Sequence, residues 1–186
     1  MSTTTNTGAG PDKAREAVTA ARAGGEAPLS RLASDRVWRE LAKASFAVVS
    51  YVTPAGQPRS SGVVYAIVDR RMYVAVANDS WKAKHIAASG QVAVTVPVRR
   101  GGIMSLLLPI PPATISFHAS AIVHQPSSVA ERPLPKRLAS LLPAERRTAS
   151  RVIEIQPVGK FLTYGVGVPM TQMRNPALAR ARVPVG

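Results

Sequence analysis

The chain of 186 residues contains no cysteine. This absence excludes disulfide bonds, thiolate catalysis and cysteine-ligated metal sites, and it leaves the redox compartment open. The most apolar stretch, residues 103–115, is too short to span a bilayer and is interrupted by three prolines. Residues 1–18 lack the charged start and apolar centre of a secretory signal. We therefore predict a cytoplasmic protein without a transmembrane segment.

Acidic residues are scarce, with ten Asp and Glu against 24 Lys and Arg, for a net charge of +14. Residues 44–186 hold seventeen of these bases and five of the acids, so the excess belongs to the folded part. Such a charge attracts phosphorylated cofactors, polyanionic ligands, nucleic acid or anionic lipid. Aromatic residues make up only 5% and do not interleave with basic ones, so we expect no specific nucleic-acid binding.

The composition divides the chain into three parts. Residues 1–30 are rich in Ala, Gly, Thr and Ser and are expected to form a flexible arm. Residues 31–168 carry the regular apolar patterns of one folded domain. Residues 169–186 are basic and interrupted by proline, which is typical of a C-terminal tail.

The apolar patterns predict a mainly β fold with a few helices. Residues 34–45 have helical spacing, with Ser34 as the N-cap. The β-type runs 46–53, 58–68 and 72–77 are joined by connections too short to cross over, so they predict a three-stranded antiparallel meander. Further β-type runs cover 91–98, 114–125 and 151–167, and a proline-rich helical stretch covers 127–150. About six antiparallel strands predict a closed or partly closed barrel.

The stretch NDSWKAKHIAASG (78–90) combines basic residues with a short helix. We predict that the helix starts near Ser80, with Asp79 or Ser80 as cap, and ends at Gly90. A helix N-terminus offers free N–H groups and a partial positive charge, and a lysine there adds charge-assisted hydrogen bonds. The pattern therefore favours an anion site, although a solvated helix face has the same composition.

A resemblance to a known family extends over roughly residues 34–168. It depends on four segments in a fixed order along the chain: GQPRSS (56–61), YVAVANDSWKAKHI (73–86), SGQVAVTV (89–96) and RVIEIQPVGKFLTYGVG (151–167). Together they resemble the flavin-binding split-barrel proteins of the pyridoxamine 5'-phosphate oxidase-like superfamily. The similarity is strongest to an actinobacterial branch, in which some members use the deazaflavin coenzyme F-420 instead of FMN. The resemblance implies a split β-barrel of about six antiparallel strands that works as a homodimer.

The resemblance also implies a set of cofactor-binding residues. It places the cofactor phosphate at the turn that carries Lys82, and the remaining candidates around it are Lys84, His85, Ser80, Trp81, Arg59, Ser60, Ser61 and Gly62. Strand alternation puts Arg59 and Ser61 on one face and Ser60 and Gly62 on the other. Gly62 would let a flat ring approach the backbone. Solvated surface and ordinary strand packing remain the alternatives.

The resemblance further implies a cofactor-dependent oxidoreductase that binds coenzyme F-420 or FMN and transfers hydride to an unknown small organic substrate. The alternative is a non-catalytic flavin-, deazaflavin- or haem-binding relative. The charge of the folded part suits the longer anionic tail of F-420. Tyr65 and Tyr164 are candidate proton donors, and each also fits a structural role. The histidines show no metal-ligand spacing. The apolar loop 103–112 is expected to pack on a second subunit, cover the ring or touch a membrane.

Overall fold

The computed structural model describes residues 33–99, 112–127, 136–173 and 175–186. The arm predicted for 1–30 and nearly all of the loop 103–112 lie outside these residues. The helices are α1 (Ser34–Lys43), α2 (Trp81–Ser89), α3 (Lys136–Leu141) and α4 (Pro176–Ala179), with 3-10 helices at Ala144–Ala149 and Met170–Gln172. The strands are β1 (Phe46–Val52), β2 (Pro58–Val64), β3 (Ala66–Val68), β4 (Arg71–Ala77), β5 (Gln91–Val98), β6 (Ala113–His124), β7 (Ser150–Pro157), β8 (Lys160–Tyr164) and β9 (Arg180–Pro184).

The strands form one curled antiparallel sheet with the order β2-β1-β5-β6-β7-β4-β3. β8 also pairs with β6, and β9 pairs with β8. The prediction of a mainly β split barrel with a few helices is confirmed. The sheet contains nine strands within the described residues, where the sequence pattern predicted about six.

The barrel closes at Tyr65. β2 and β3 lie at opposite ends of the sheet order, yet only this residue separates them along the chain. The Tyr65 side chain is buried, its hydroxyl donates to the carbonyl of Leu41 at 2.7 Å, and its N–H donates to Ser45 O at 3.2 Å. Because the covalent chain joins the two ends, the sheet must curl back on itself.

The predicted meander is therefore wrong in its third strand. β4 pairs with β3 and β7 and not with β2. The run 58–68 reads as one strand because Tyr65 itself favours β structure, and nothing local marks where the chain leaves one end of the sheet and enters the other.

α1 and the C-terminal residues are joined by long-range contacts. Val37, Trp38 and Leu41 are buried, as the helical spacing predicts. Ser34 does not cap the helix: Ala33 holds that position, and Ser34 Oγ donates to Val185 O at 2.7 Å, which also accepts from Trp38 Nε1 at 3.1 Å. β9 adds a strand beyond residue 168, where the predicted barrel domain ended.

The core lies inside the curled sheet and is aromatic beneath α1. Phe161 contacts Trp38 at 5.2 Å and Phe117 at 5.4 Å between ring centroids, both edge to face. A second, smaller cluster lies outside the sheet, where Leu142 packs on Val152. The main core thus supports the strands on which α2 lies.

Candidate functional site

α2 follows β4 after the turn Asn78–Ser80 and packs against β1 and β6. Ala83 and Ile86 form its buried side. Gly90 ends the helix, as predicted: it adopts a left-handed φ of 65°, and its N–H donates to Ile86 O at 2.8 Å. These contacts fix the N-terminal turn of α2 beside the ends of β4 and β1.

The N-terminus of α2 has no side-chain cap. Ser80 occupies the N-cap position, but its hydroxyl makes no capping hydrogen bond, and the first turn contains no acidic residue. Lys82 is half-buried there and has no hydrogen-bond or ion-pair partner among the described residues. Burial lowers the pKa of Lys82. A partly desolvated cation beside unsatisfied N–H groups is an arrangement that an anion would stabilise.

Lys84 has different surroundings. It is exposed, and its Nζ lies 4.5 Å from the ring centroid of Trp81, a cation–π contact. Trp81 is itself 71% exposed. The two lysines are therefore not equivalent: Lys84 contacts Trp81 on the helix surface, whereas Lys82 is half-buried and has no counter-charge among the described residues.

Two candidate residues, His85 on α2 and Ser61 on β2, each have a buried polar atom without a hydrogen-bond partner. The His85 ring lies between Trp81 and Tyr51, with centroids 6.0 Å from each, and its Nδ1 is buried without a hydrogen-bond partner. Ser61 pairs with Val49 across the β1–β2 ladder, and its Oγ is also buried without a partner. Leaving such a group unsatisfied costs about 1–3 kcal/mol. A polar ligand or a bound water would remove this cost.

The other β2 residues predicted to bind the cofactor do not have a buried unpartnered atom. Side chains alternate between the two faces of β2 as predicted, since Ser60 and Gly62 are on the outer face. Ser60 Oγ is 2.8 Å from Ser50 Oγ. A Cβ on Gly62 would be 2.8 Å from the Phe46 ring, so the close approach that Gly62 permits is made by this chain and not left open for a cofactor ring. Arg59 is exposed and donates to Gln57 Oε1 at 3.2 Å.

Sequence reasoning missed Tyr51. Its position two residues after the buried Val49 was the available signal, because alternate residues of a strand share a face. The two tyrosines named as candidate proton donors are structural. Tyr65 donates to Leu41 O, and Tyr164 donates to Met173 O at 2.9 Å. Burial also raises the pKa of Tyr65, so its hydroxyl stays protonated.

The outer face of the described strands β2, β1, β5 and β6 carries no Lys, Arg, Asp or Glu side chain. One row of paired residues crosses these strands, with one residue from each: Gly62 on β2, Val48 on β1, Thr95 on β5 and Ser116 on β6. The row continues to Leu162 on β8. Along it, Thr95 and Ser116 hydrogen-bond through their hydroxyls at 3.1 Å. Larger apolar side chains flank this row and are about half exposed: Phe46, Val64 and Leu162. We call this surface the small-residue face.

The comparisons with known proteins place the fold. No family model matches the chain, and no curated protein does. Its structure is similar to General Stress Protein 26 from Bacillus anthracis, with a TM-score of 0.52, 18% identity, and coverage of 70% of this chain and 92% of that one. It is also similar to a Listeria innocua protein named for pyridoxamine 5'-phosphate oxidase, with a TM-score of 0.50, 17% identity and coverage of 67% and 92%.

A third similar structure is HutZ, the haem storage protein from Vibrio cholerae, with a TM-score of 0.51, 14% identity and coverage of 73% and 97%. At these identities the similarity shows the fold alone, which is a mainly antiparallel split β-barrel with a few helices. Within the described ranges, no helix is both long enough and apolar enough to cross a bilayer. The same residues hold no cluster of three or more His, Asp or Glu arranged for a metal.

Proposed function

We propose that this protein binds a flavin-type cofactor, coenzyme F-420 or FMN, and works as a homodimeric oxidoreductase on a small organic substrate. The observation that carries this is the first turn of α2, where an uncapped helix N-terminus meets the unpartnered, half-buried Lys82. Such a turn binds phosphate through N–H groups and a charged hydrogen bond. Both cofactors contain a phosphate, and one of the proteins with a similar fold is named for pyridoxamine 5'-phosphate oxidase.

The neighbouring residues suit the part of the cofactor that follows the phosphate. His85 Nδ1 and Ser61 Oγ are buried polar atoms without partners, and hydroxyl groups of a ribityl chain would satisfy both. The rings of Trp81 and Tyr51 each lie 6.0 Å from the His85 ring, measured between centroids. In this proposal these residues bind and orient the cofactor, and the cofactor supplies the hydride chemistry.

We propose that the two subunits of the homodimer contact each other through the small-residue face. A domain with a net charge of +12 between residues 44 and 186 leaves this part of its sheet without a single Lys or Arg. A sheet face that has no Lys, Arg, Asp or Glu on β1, β2, β5 and β6, with Phe46 half exposed at its edge, is a surface that a partner covers. Small side chains allow a second copy of the same sheet to approach closely. The partner we propose is a second copy of this chain.

A non-catalytic cofactor-binding protein is the second candidate. It is favoured by the two tyrosines, because Tyr65 and Tyr164 both donate to backbone carbonyls and neither is available as a proton donor. A catalyst without them would depend on groups supplied by the substrate, by solvent or by a partner copy.

Titration of the purified protein with FMN and with coenzyme F-420, followed by fluorescence quenching, tests the proposal. The absorption spectrum of the protein as purified would identify a retained flavin, a deazaflavin or the Soret band of haem. Binding of one cofactor together with reduction of an enone or quinone acceptor supports the oxidoreductase. Binding without reduction of any acceptor supports the carrier. A protein that binds neither cofactor contradicts both.

A further inference from the structure

A second group of basic residues adjoins the turn that leads into α2. The 3-10 helix Ala144–Ala149 ends against this turn, where Asn78 N–H donates to Ala149 O at 3.0 Å. The β4–β7 ladder continues the contact by pairing Ala77 with Ser150. Residues shortly before β7 are therefore held next to the segment from which Lys82 emerges, although more than sixty positions separate them in sequence.

Arg147 of the 3-10 helix is half-buried, and its Nε is buried without a hydrogen-bond partner among the described residues. Arginine cannot lose its charge at ordinary pH, so this is a donor and a charge that the protein leaves partly unsatisfied. By contrast, Arg71, which lies on the surface, donates to the carboxylate of Glu154. An acceptor group on a ligand would satisfy the buried Nε of Arg147.

Arg151 is held at the same turn. Its Nε donates to Asn78 Oδ1 at 2.8 Å, which fixes the guanidinium beside the start of α2. Two acidic residues are near these arginines: Asp79 lies in the turn, and Glu145 is two residues before Arg147. Neither forms an ion pair within the described residues. Both acids are exposed. Within the described residues, neither Arg147 nor Arg151 therefore has an acidic side chain as an ion-pair partner.

We propose that Arg147 and Arg151 extend the anion site of Lys82 and bind further carboxylate or phosphate groups that follow the first phosphate of the ligand. This rests on the proposed function and deepens it: the cofactor class is one with an anionic tail, such as coenzyme F-420, and not one that ends at a single phosphate. Each charged hydrogen bond to the tail would contribute about tenfold in affinity.

The test compares FMN, deazaflavin with its glutamate tail and the tail-less deazaflavin in fluorescence titrations of Arg147→Gln and Arg151→Gln. Each variant should bind the tailed cofactor about tenfold more weakly than the parent and bind the other two within about twofold. Arg39→Gln removes one exposed charge from α1 and is the matched control, for which no change is expected. Equal loss for all three ligands, or no loss for any, overturns the proposal.

Thermal unfolding separates this proposal from the proposed function and from a structural role. Removing an unsatisfied buried donor should leave the midpoint of Arg147→Gln equal to that of the parent or higher. Tripolyphosphate should raise the midpoint of the parent and of Arg39→Gln, and raise it less for Arg147→Gln and Arg151→Gln, even if no flavin binds. Equal shifts for all four proteins overturn the anion site, and a lowered midpoint for Arg147→Gln without ligand would show a structural role instead.

Discussion

Lys82 and Lys84 are two residues apart on one short helix, yet their environments differ enough to separate their roles. Lys82 is partly desolvated and unpartnered, whereas Lys84 lies over Trp81 in solvent. We expect Lys82→Ala to weaken cofactor binding by about tenfold or more, the loss of one charged hydrogen bond. Lys84→Ala should weaken cofactor binding by less than Lys82→Ala does. Fluorescence titration measures both, with circular dichroism to show that each variant is folded.

If Lys82→Ala and Lys84→Ala both bind the cofactor as tightly as the parent, the proposed role of Lys82 is contradicted. In that case the N-terminal turn of α2 would be a solvated helix end, and the unpartnered atoms of His85 and Ser61 would need water as their partner.

The protonation of Lys82 predicts a pH dependence of binding. Burial lowers the pKa of Lys82, and a bound phosphate favours its charged form, so binding is linked to the presence of the proton. Affinity should be full at neutral pH and should fall as the pH rises through the lowered pKa, before an ordinary lysine titrates. Lys82→Arg keeps its charge throughout this range, so its affinity should stay constant there. A parent protein whose affinity is equally constant would contradict the role of Lys82.

At the scale of elements, the position of α2 depends on Gly90. Its φ of 65° is left-handed, and a Cβ there would meet nothing within 4 Å, so the cost of a side chain is conformational and not steric crowding. Gly90→Ala should lower the free energy of unfolding by about 1 kcal/mol, and Gly90→Asn by less, because Asn tolerates this conformation. Urea unfolding measures both. An unchanged midpoint for Gly90→Ala would show that α2 ends without needing this conformation.

Local patterns predicted α2, its end at Gly90 and the burial of Val37, Trp38 and Leu41, because each follows from spacing along one element. They could not predict features that depend on distant parts of the chain. Ser34 has the composition of a cap, but its hydroxyl is taken by Val185, 151 positions away.

The site shows the same limit. Alternation correctly divided Arg59 and Ser61 from Ser60 and Gly62, but only the fold shows that Phe46 fills the space at Gly62. The approach of Arg147 and Arg151 to the start of α2 also depends on the pairing of β4 with β7, which no local pattern encodes. Side chains on separate strands become neighbours only when the order of the sheet is known.

At the scale of the whole molecule, charge is distributed unevenly, and this predicts the assembly. The small-residue face has no Lys, Arg, Asp or Glu on four adjacent strands, and Thr95 lies near its middle. In a dimer related by two-fold symmetry, Thr95→Arg would place two positive charges in the interface without counter-ions. We expect the parent to have twice the 19.7 kDa mass of one chain and Thr95→Arg to have the mass of a monomer.

Light scattering coupled to gel filtration measures these masses. Ser140→Arg adds the same charge at an exposed position of α3, away from this face, and should leave the dimer intact. A parent protein that is monomeric at all concentrations, or a Thr95→Arg variant that remains a dimer, would show that a second copy does not cover this face. If Thr95→Arg is monomeric and still binds cofactor as tightly as the parent, each protomer holds a complete site around Lys82. If affinity falls with the dimer, the partner copy contributes contacts to the cofactor.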